Sequence, residues 1–85
     1  MPLSKTMYKS ELRVCKESHG NMTLFTIRNI FYKDGKSYSY SDKIRAIFQY
    51  SSYESLEVSV LNYAEALSKP IIDLDNFLNE VYEYK

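Results

Sequence analysis

The dipeptide Asp34-Gly35 constrains this chain more than any other feature. It lies in the middle of a stretch, 22–50, that is rich in β-branched and aromatic residues. Asp-Gly is favoured at the two positive-φ positions of a type I′ turn, the usual two-residue connection of a β-hairpin. The sequence therefore predicts a hairpin over 22–50 in which Phe31 pairs with Tyr38.

This register divides the side chains of the hairpin between two faces, because successive strand residues point to opposite sides. The face that is denser in aromatic and β-branched groups is expected to form the core. Its members are Phe25, Ile27, Phe31, Tyr38, Tyr40, Ile44, Ala46, Phe48 and Tyr50. The other face, expected to point outward, carries Leu24, Arg28, Ile30, Tyr32, Lys43, Arg45, Ile47 and three serines.

A further strand is predicted from Ser10 to Glu17, where Leu12 and Val14 alternate with polar neighbours. A turn at 18–21 would bring Leu12 and Val14 onto the predicted core face. The segment 36–50 is long for one strand, and Ser41-Asp42 indicates either a bulge or a break into two strands.

After Ser51 the apolar spacing changes to that of a helix. Ser51 and Glu54 form a capping-box pair, and Pro70 ends the helix because it lacks an N–H. The apolar stripe consists of Tyr53, Leu56, Val60, Tyr63, Ala64 and Leu67. A second helix is expected to begin at Asp73 or Asp75, with Leu74, Phe77, Leu78 and Val81 on its apolar side.

These elements predict one α+β domain over 1–85. An antiparallel sheet of three or four strands over 10–50 would be covered on one face by two helices over 51–85, in two layers. Residues 1–9 are expected to be a partly ordered arm. Whether this arm folds over the outward sheet face through Leu3, Met7 and Tyr8 stays open.

Composition and charge limit the function classes. With 45% hydrophobic and 15% aromatic residues, the 85-residue chain is expected to be a folded globule. A single cysteine and the lack of a signal peptide or an apolar run of membrane length favour the cytoplasm. The net charge of zero hides an asymmetry: residues 1–50 have nine Lys or Arg and four acids, whereas 51–85 have two and seven.

No motif predicts catalysis. His19 is the only histidine and Cys15 the only cysteine, which is too few ligands for zinc and leaves no third group to orient a nucleophile. The two glycines are taken up by the predicted turns, so no phosphate loop is expected. We therefore expect no enzyme, no cofactor, no metal and no catalytic residue.

Two candidate partner-binding surfaces follow from the charge distribution. The first is the outward sheet face, where apolar and aromatic groups lie within a basic rim; its candidate residues are Arg13, Arg28, Tyr32, Lys43 and Arg45. The second is the acidic side of the helices, which could imitate nucleic-acid phosphates against a basic groove; its candidates are Glu57, Glu65, Asp75 and Glu80.

These features favour a small non-enzymatic protein-binding module, an inhibitor or adaptor of a larger macromolecular machine. In size and in lacking motifs the chain is similar to phage and mobile-element anti-defence proteins such as anti-CRISPR inhibitors. The alternative is binding of single-stranded nucleic acid by the outward sheet face, with Tyr32 stacking on bases. A sequence pI near 6.6 counts against that alternative. No membrane partner is expected, and the chain would be a monomer or a homodimer.

Overall fold

A computed structural model describes residues 5–45 and 48–84. It has an α+β fold with a curled, mixed four-stranded sheet and one α-helix in the described ranges. In chain order the elements are β1 (Tyr8–His19), β2 (Met22–Lys33), β3 (Lys36–Tyr40), α1 (Tyr53–Leu67), β4 (Ile72–Asp73) and a 3-10 helix (Leu74–Asn76). The strand order is β3-β2-β1-β4, in which β4 runs parallel to β1 and the other pairs are antiparallel.

The predicted turn at Asp34-Gly35 is confirmed. Asp34 has a φ of 51° and Gly35 a φ of 82°, and Lys33 pairs with Lys36 across the turn. These are the two positive φ values that a type I′ turn requires. The amide of Asp34 also donates to the Met7 carbonyl at 2.8 Å, which ties the turn to the chain before β1.

The predicted register holds only next to the turn. Tyr32 pairs with Ser37 as expected, but Phe31 pairs with Ser39 because the ladder shifts by one residue between Phe31 and Tyr32. The predicted pairing of Phe31 with Tyr38 is therefore wrong. Such an extra residue in one strand is a β-bulge, which bends the strand that carries it. It lies nearer the turn than Ser41-Asp42, where the sequence predicted an irregularity.

The core lies on the sheet face that was predicted to point outward. The buried apolar cluster consists of Cys15, Ile30, Tyr32, Ile72, Leu74 and Phe77. In contrast, Phe25 on the predicted core face is 61% exposed, and Phe48 is exposed as well. The predicted roles of Leu3, Ala46 and Ile47 fall outside the described residues.

The C-terminal segment 72–84, which we call the tail, explains this inversion. At one end β4 pairs with β1; at the other, the Ser37 amide donates to the Tyr82 carbonyl and the Tyr84 amide donates to the Gly35 carbonyl, both at 2.8 Å. The tail therefore crosses the sheet from one edge to the other and covers the face beneath it. It satisfies backbone groups that open sheet edges would leave unpaired.

The predicted second helix is wrong. Asp73 does cap a helical turn, since its side chain accepts from the Asp75 amide at 3.0 Å, but this turn is a 3-10 helix of three residues. Leu74 and Phe77 are buried, as the predicted apolar side requires, whereas Leu78 is 96% exposed. Together with Ile72 and the partly buried Tyr82, these two residues are the tail's part of the core. The prediction of a purely antiparallel sheet is also wrong, because β4 pairs with β1 in parallel.

The first helix is close to its prediction but packs differently. Its N-cap is Ser52, one residue after the predicted Ser51, and it ends before Pro70 as expected. Helix α1 contacts β1. The structure describes every residue of this helix, and Ala66 is the only one that is buried. The expectation that its apolar stripe packs onto the sheet is therefore wrong for most of the stripe. No described helix is long and apolar enough to cross a membrane.

We predict that Gly35→Val destabilises the fold by about 1–3 kcal/mol, because a β-branched residue is strained at a positive φ. A Cβ at this position would meet no atom within 4 Å, so the cost arises from the backbone alone. Urea denaturation measures the change, with Lys33→Val as the control at an exposed strand position. Equal stability of Gly35→Val and the unmodified chain would contradict the turn.

A second prediction tests which face is the core. Ile30→Ala should lower the free energy of unfolding by about 2–5 kcal/mol, because Ile30 is fully buried. Phe25→Ala removes a larger side chain but should cost less than about 1 kcal/mol, since Phe25 is mostly exposed. The two denaturation midpoints decide between the faces, and the reverse order would contradict the observed core.

Candidate functional site

The tail divides the predicted sheet-face site into two parts. Arg13 and Tyr32 lie under the tail and are buried. Arg28 lies at the boundary, and Lys43 and Arg45 lie beyond it, where both are exposed. The structure thus brings three of the five predicted residues to one open surface and places the other two inside the fold.

The covered part contains a polar cluster around Arg13. Its Nη1 donates to Glu11 Oε1 at 3.0 Å and to the Tyr32 hydroxyl at 3.3 Å, and its Nη2 donates to the Pro70 carbonyl. Lys69 Nζ donates to Glu11 Oε2 at 3.2 Å. One buried carboxylate is therefore shared by two cations and a hydroxyl, the kind of pairing that a buried charge needs.

This cluster has no group that is reactive at neutral pH. Burial, with the neighbouring Glu11 charge, raises the pKa of Tyr32 to about 12, and burial raises the pKa of the Cys15 thiol to about 11. Both groups therefore stay protonated, and a thiol is nucleophilic only as the thiolate. A cavity of about 330 Å³ lies beside Arg13 and Lys69 and reaches Val81, Tyr82 and Glu83 of the tail. The cluster holds Lys69 and Pro70, which precede the tail, to β1.

Arg28 is held on all sides at the boundary between the two parts. Its Nε donates to Thr26 Oγ1 at 3.2 Å, its Nη1 to the Ser41 carbonyl at 3.1 Å and its Nη2 to Glu17 Oε1 at 2.9 Å. The guanidinium also lies over the Tyr40 ring, 5.4 Å from its centroid. With 11% of its side chain exposed, Arg28 organises this surface and leaves little of itself for a partner.

The open part forms a cavity of about 540 Å³, which we call the basic hollow. It is lined by Glu17, His19, Leu24, Thr26, Arg28, Asp42, Lys43 and Arg45. Neither Lys43 nor Arg45 forms an ion pair with any residue in the described ranges. Both cations are exposed, next to the partly exposed apolar side chain of Leu24.

His19 and Cys15 do not form a catalytic pair. Cys15 is buried and its thiol donates to the Arg13 carbonyl, while His19 is exposed with its Nε2 3.4 Å from Glu17 Oε1. In the described part of the chain, no three His, Cys, Asp or Glu side chains gather as a metal ion would require.

The four acidic candidates have different surroundings. Glu57 and Glu65 are exposed on α1. Asp75 accepts from the amide and the hydroxyl of Ser18, the latter at 2.7 Å, and Glu80 accepts from the Tyr82 hydroxyl at 3.0 Å. Asp75 and Glu80 therefore stabilise the tail, and only the α1 pair is left to a partner.

Glu11, Glu17 and Lys69 were not predicted as part of any site. The reason for the two glutamates becomes visible only in the observed register, in which β1 and β2 place Arg13 directly opposite Arg28. Two arginines in direct opposition repel each other unless carboxylates lie beside them. Glu11 and Glu17, each on the same strand face as Arg13, supply that charge. Nothing near Lys69 in the sequence indicated its contact with Glu11.

The Ser18 contact predicts a pH dependence. The two hydrogen bonds from Ser18 hold the pKa of Asp75 below its ordinary value of 3.8. Their stabilisation is complete above that value and is lost as the pH falls through the lower, folded-state pKa. Asp75→Asn should therefore unfold more easily than the unmodified chain at pH 7, and the difference should shrink below pH about 4. Denaturant titrations at both pH values measure it.

Asp42→Asn is the matched control, since Asp42 is exposed and should change the stability by no more than about 0.5 kcal/mol. A difference between Asp75→Asn and the unmodified chain that stayed constant from pH 7 to pH 3 would contradict the role of the Asp75 charge.

No protein-family model, no curated protein and no solved structure matches this chain.

Proposed function

We propose that this protein is a small non-enzymatic binding module that occupies a surface on another protein, as an inhibitor or adaptor of a larger assembly in the cytoplasm. The observation that carries the proposal is the basic hollow, in which two free cations, Lys43 and Arg45, lie beside the apolar side chain of Leu24. Arginine, apolar contact and a polar rim in one patch are typical of protein interfaces.

The surroundings of the hollow favour a protein over nucleic acid. Glu17 and Asp42 also line it, so its charge is mixed, and phosphates would meet repulsion there. Tyr32, the residue expected to stack on bases, is fully buried, and Arg28 already uses its three nitrogens within the chain. The hollow therefore suits a partner that offers separate acidic and apolar side chains.

The partner's chemistry follows from this arrangement. We expect carboxylates at Lys43 and Arg45 and an apolar side chain over Leu24, with the exposed Met22 at the margin. Rim charges of this kind chiefly raise the association rate, so binding should weaken with salt mainly through slower association. A small inhibitor of this design suits the anti-defence proteins of phages and mobile elements to which the chain is similar in size.

Affinity capture from the cells that naturally make this protein tests the proposal. Nuclease-treated lysate should yield a protein partner, and Arg45→Glu should weaken its binding about tenfold, because a reversed rim charge repels the partner's carboxylates. Lys36→Glu is the control, since Lys36 is exposed at the opposite end of the hairpin. Far-ultraviolet circular dichroism checks that both variants fold.

Three results would each contradict the proposal. Capture that nuclease abolishes would indicate nucleic acid, and its log affinity should then fall linearly with log salt. Equal loss in both variants would mean that net charge, and not the hollow, controls binding. Unchanged binding of Arg45→Glu would place the partner elsewhere.

A further inference from the structure

Helix α1 leaves part of its apolar stripe exposed in the described chain, although Leu56 and Tyr63 of the stripe are half-buried. Tyr53, Val60 and Leu67 recur at intervals of seven residues, which places them along one side of a helix. They are 76%, 44% and 73% exposed, while Ala66 on the other side is buried. An amphipathic surface helix ordinarily buries such a stripe.

The stripe continues into an apolar groove between the helix and the sheet. Leu67 shares a cavity of about 400 Å³ with side chains of β1, β2 and the segment after β3. We call this cavity the helix–sheet groove; its other lining residues are Val14, Phe25, Thr26, Ile27, Lys43 and Ile44. This groove is the predicted core face, which remains open because the tail covers the opposite face.

The total surface area indicates how much of the molecule is uncovered. The chain exposes 6811 Å², whereas a compact protein of its mass exposes about 5,200 Å². The radius of gyration, 15.2 Å, likewise exceeds the value of about 12 Å expected for 85 residues. The chain is therefore less compact than a domain of its mass usually is, as expected where an apolar face lies open.

The charges beside these apolar surfaces are complementary. Helix α1 carries Glu54, Glu57 and Glu65 and has no Lys, Arg or His. The sheet side of the groove instead has two exposed lysines: Lys43 lines it, and Lys16 lies opposite the lining residue Phe25. A second copy of the chain therefore offers an acidic apolar helix to a groove with a basic margin.

We propose that the protein forms a twofold-symmetric homodimer in which α1 of each copy lies against the helix–sheet groove of the other. Leu67 belongs to both the stripe and the groove, so the two surfaces form one continuous patch. A continuous self-complementary patch closes on itself as a dimer, whereas two separate patches would propagate a filament. The helix–sheet groove and the basic hollow are neighbouring cavities that have only Thr26 and Lys43 in common, and the inference does not rest on the proposed function.

Sedimentation velocity on the full chain tests the dimer. The unmodified protein should sediment at twice the chain mass. The double variant Val60→Glu/Leu67→Glu should sediment at the chain mass, because dimerisation would bury the two new carboxylates of each copy against the apolar surface of the other copy. Both positions are exposed in the single chain, so circular dichroism should not change. Leu78→Glu alters an equally exposed leucine outside the patch and should remain a dimer.

A charge exchange provides a second test that does not depend on the apolar substitutions. Glu57→Lys or Lys16→Glu alone should raise the dissociation constant about tenfold, since each places like charges across the interface. Lys16 serves here because, unlike Lys43, it does not line the basic hollow. The two variants mixed together should regain the original affinity as a heterodimer.

A monomer at every soluble concentration, a dimer that survives Val60→Glu/Leu67→Glu, or a mixture that fails to regain affinity would each overturn the homodimer. None of these results bears on the basic hollow, which Arg45→Glu tests separately. The Arg45→Glu variant should remain a dimer.

Discussion

The rest of the structure depends on the backbone pairing of the tail with both edges of the sheet. β4 extends the sheet beyond β1, and the Tyr82 and Tyr84 contacts attach the other end of the tail beside β3. Between these attachments Phe77 packs edge-on against Tyr40 at 4.9 Å. Without the tail, β1 to β3 would be a sheet with two open edges and no cover over Ile30, and its apolar core face would be exposed to water.

This arrangement explains why the elements could be predicted from sequence better than their packing. Asp34-Gly35 and the bounds of α1 depend on local chemistry, namely positive φ, a serine cap and a proline stop, and they occur within a residue or two of their predicted positions. The choice of core face depends on what covers it. Segment 72–84 has helical spacing in its apolar residues, yet its helical part is limited to a 3-10 helix and the turns that follow it. Hydrogen bonds to the two sheet edges fix both ends of the segment, so tertiary contact overruled local propensity.

The candidate site was likewise predictable in part: the exposed cations were predicted, and the buried ones were not. Lys43 and Arg45 are cations beyond the covered part of the sheet, and their exposure follows from their charge. Arg13 was predicted at the surface for the same reason, but Glu11 and Lys69 pair with each other beside it and allow its burial. The expectation that an arginine is exposed fails where a carboxylate is buried beside it. The contact of Lys69 with Glu11 joins residues 58 positions apart, and a local sequence pattern cannot predict such a contact.

The same tail has a consequence for the order in which the chain folds. The two hairpins join neighbouring segments and can form within about 1–10 μs. Cys15 pairs with Ile72, so the core closes only after a loop of more than fifty residues is brought together. Contacts this far apart in sequence slow folding. During that interval both edges and both faces of the hairpin sheet are open to other chains, and a nascent copy is most prone to aggregate then.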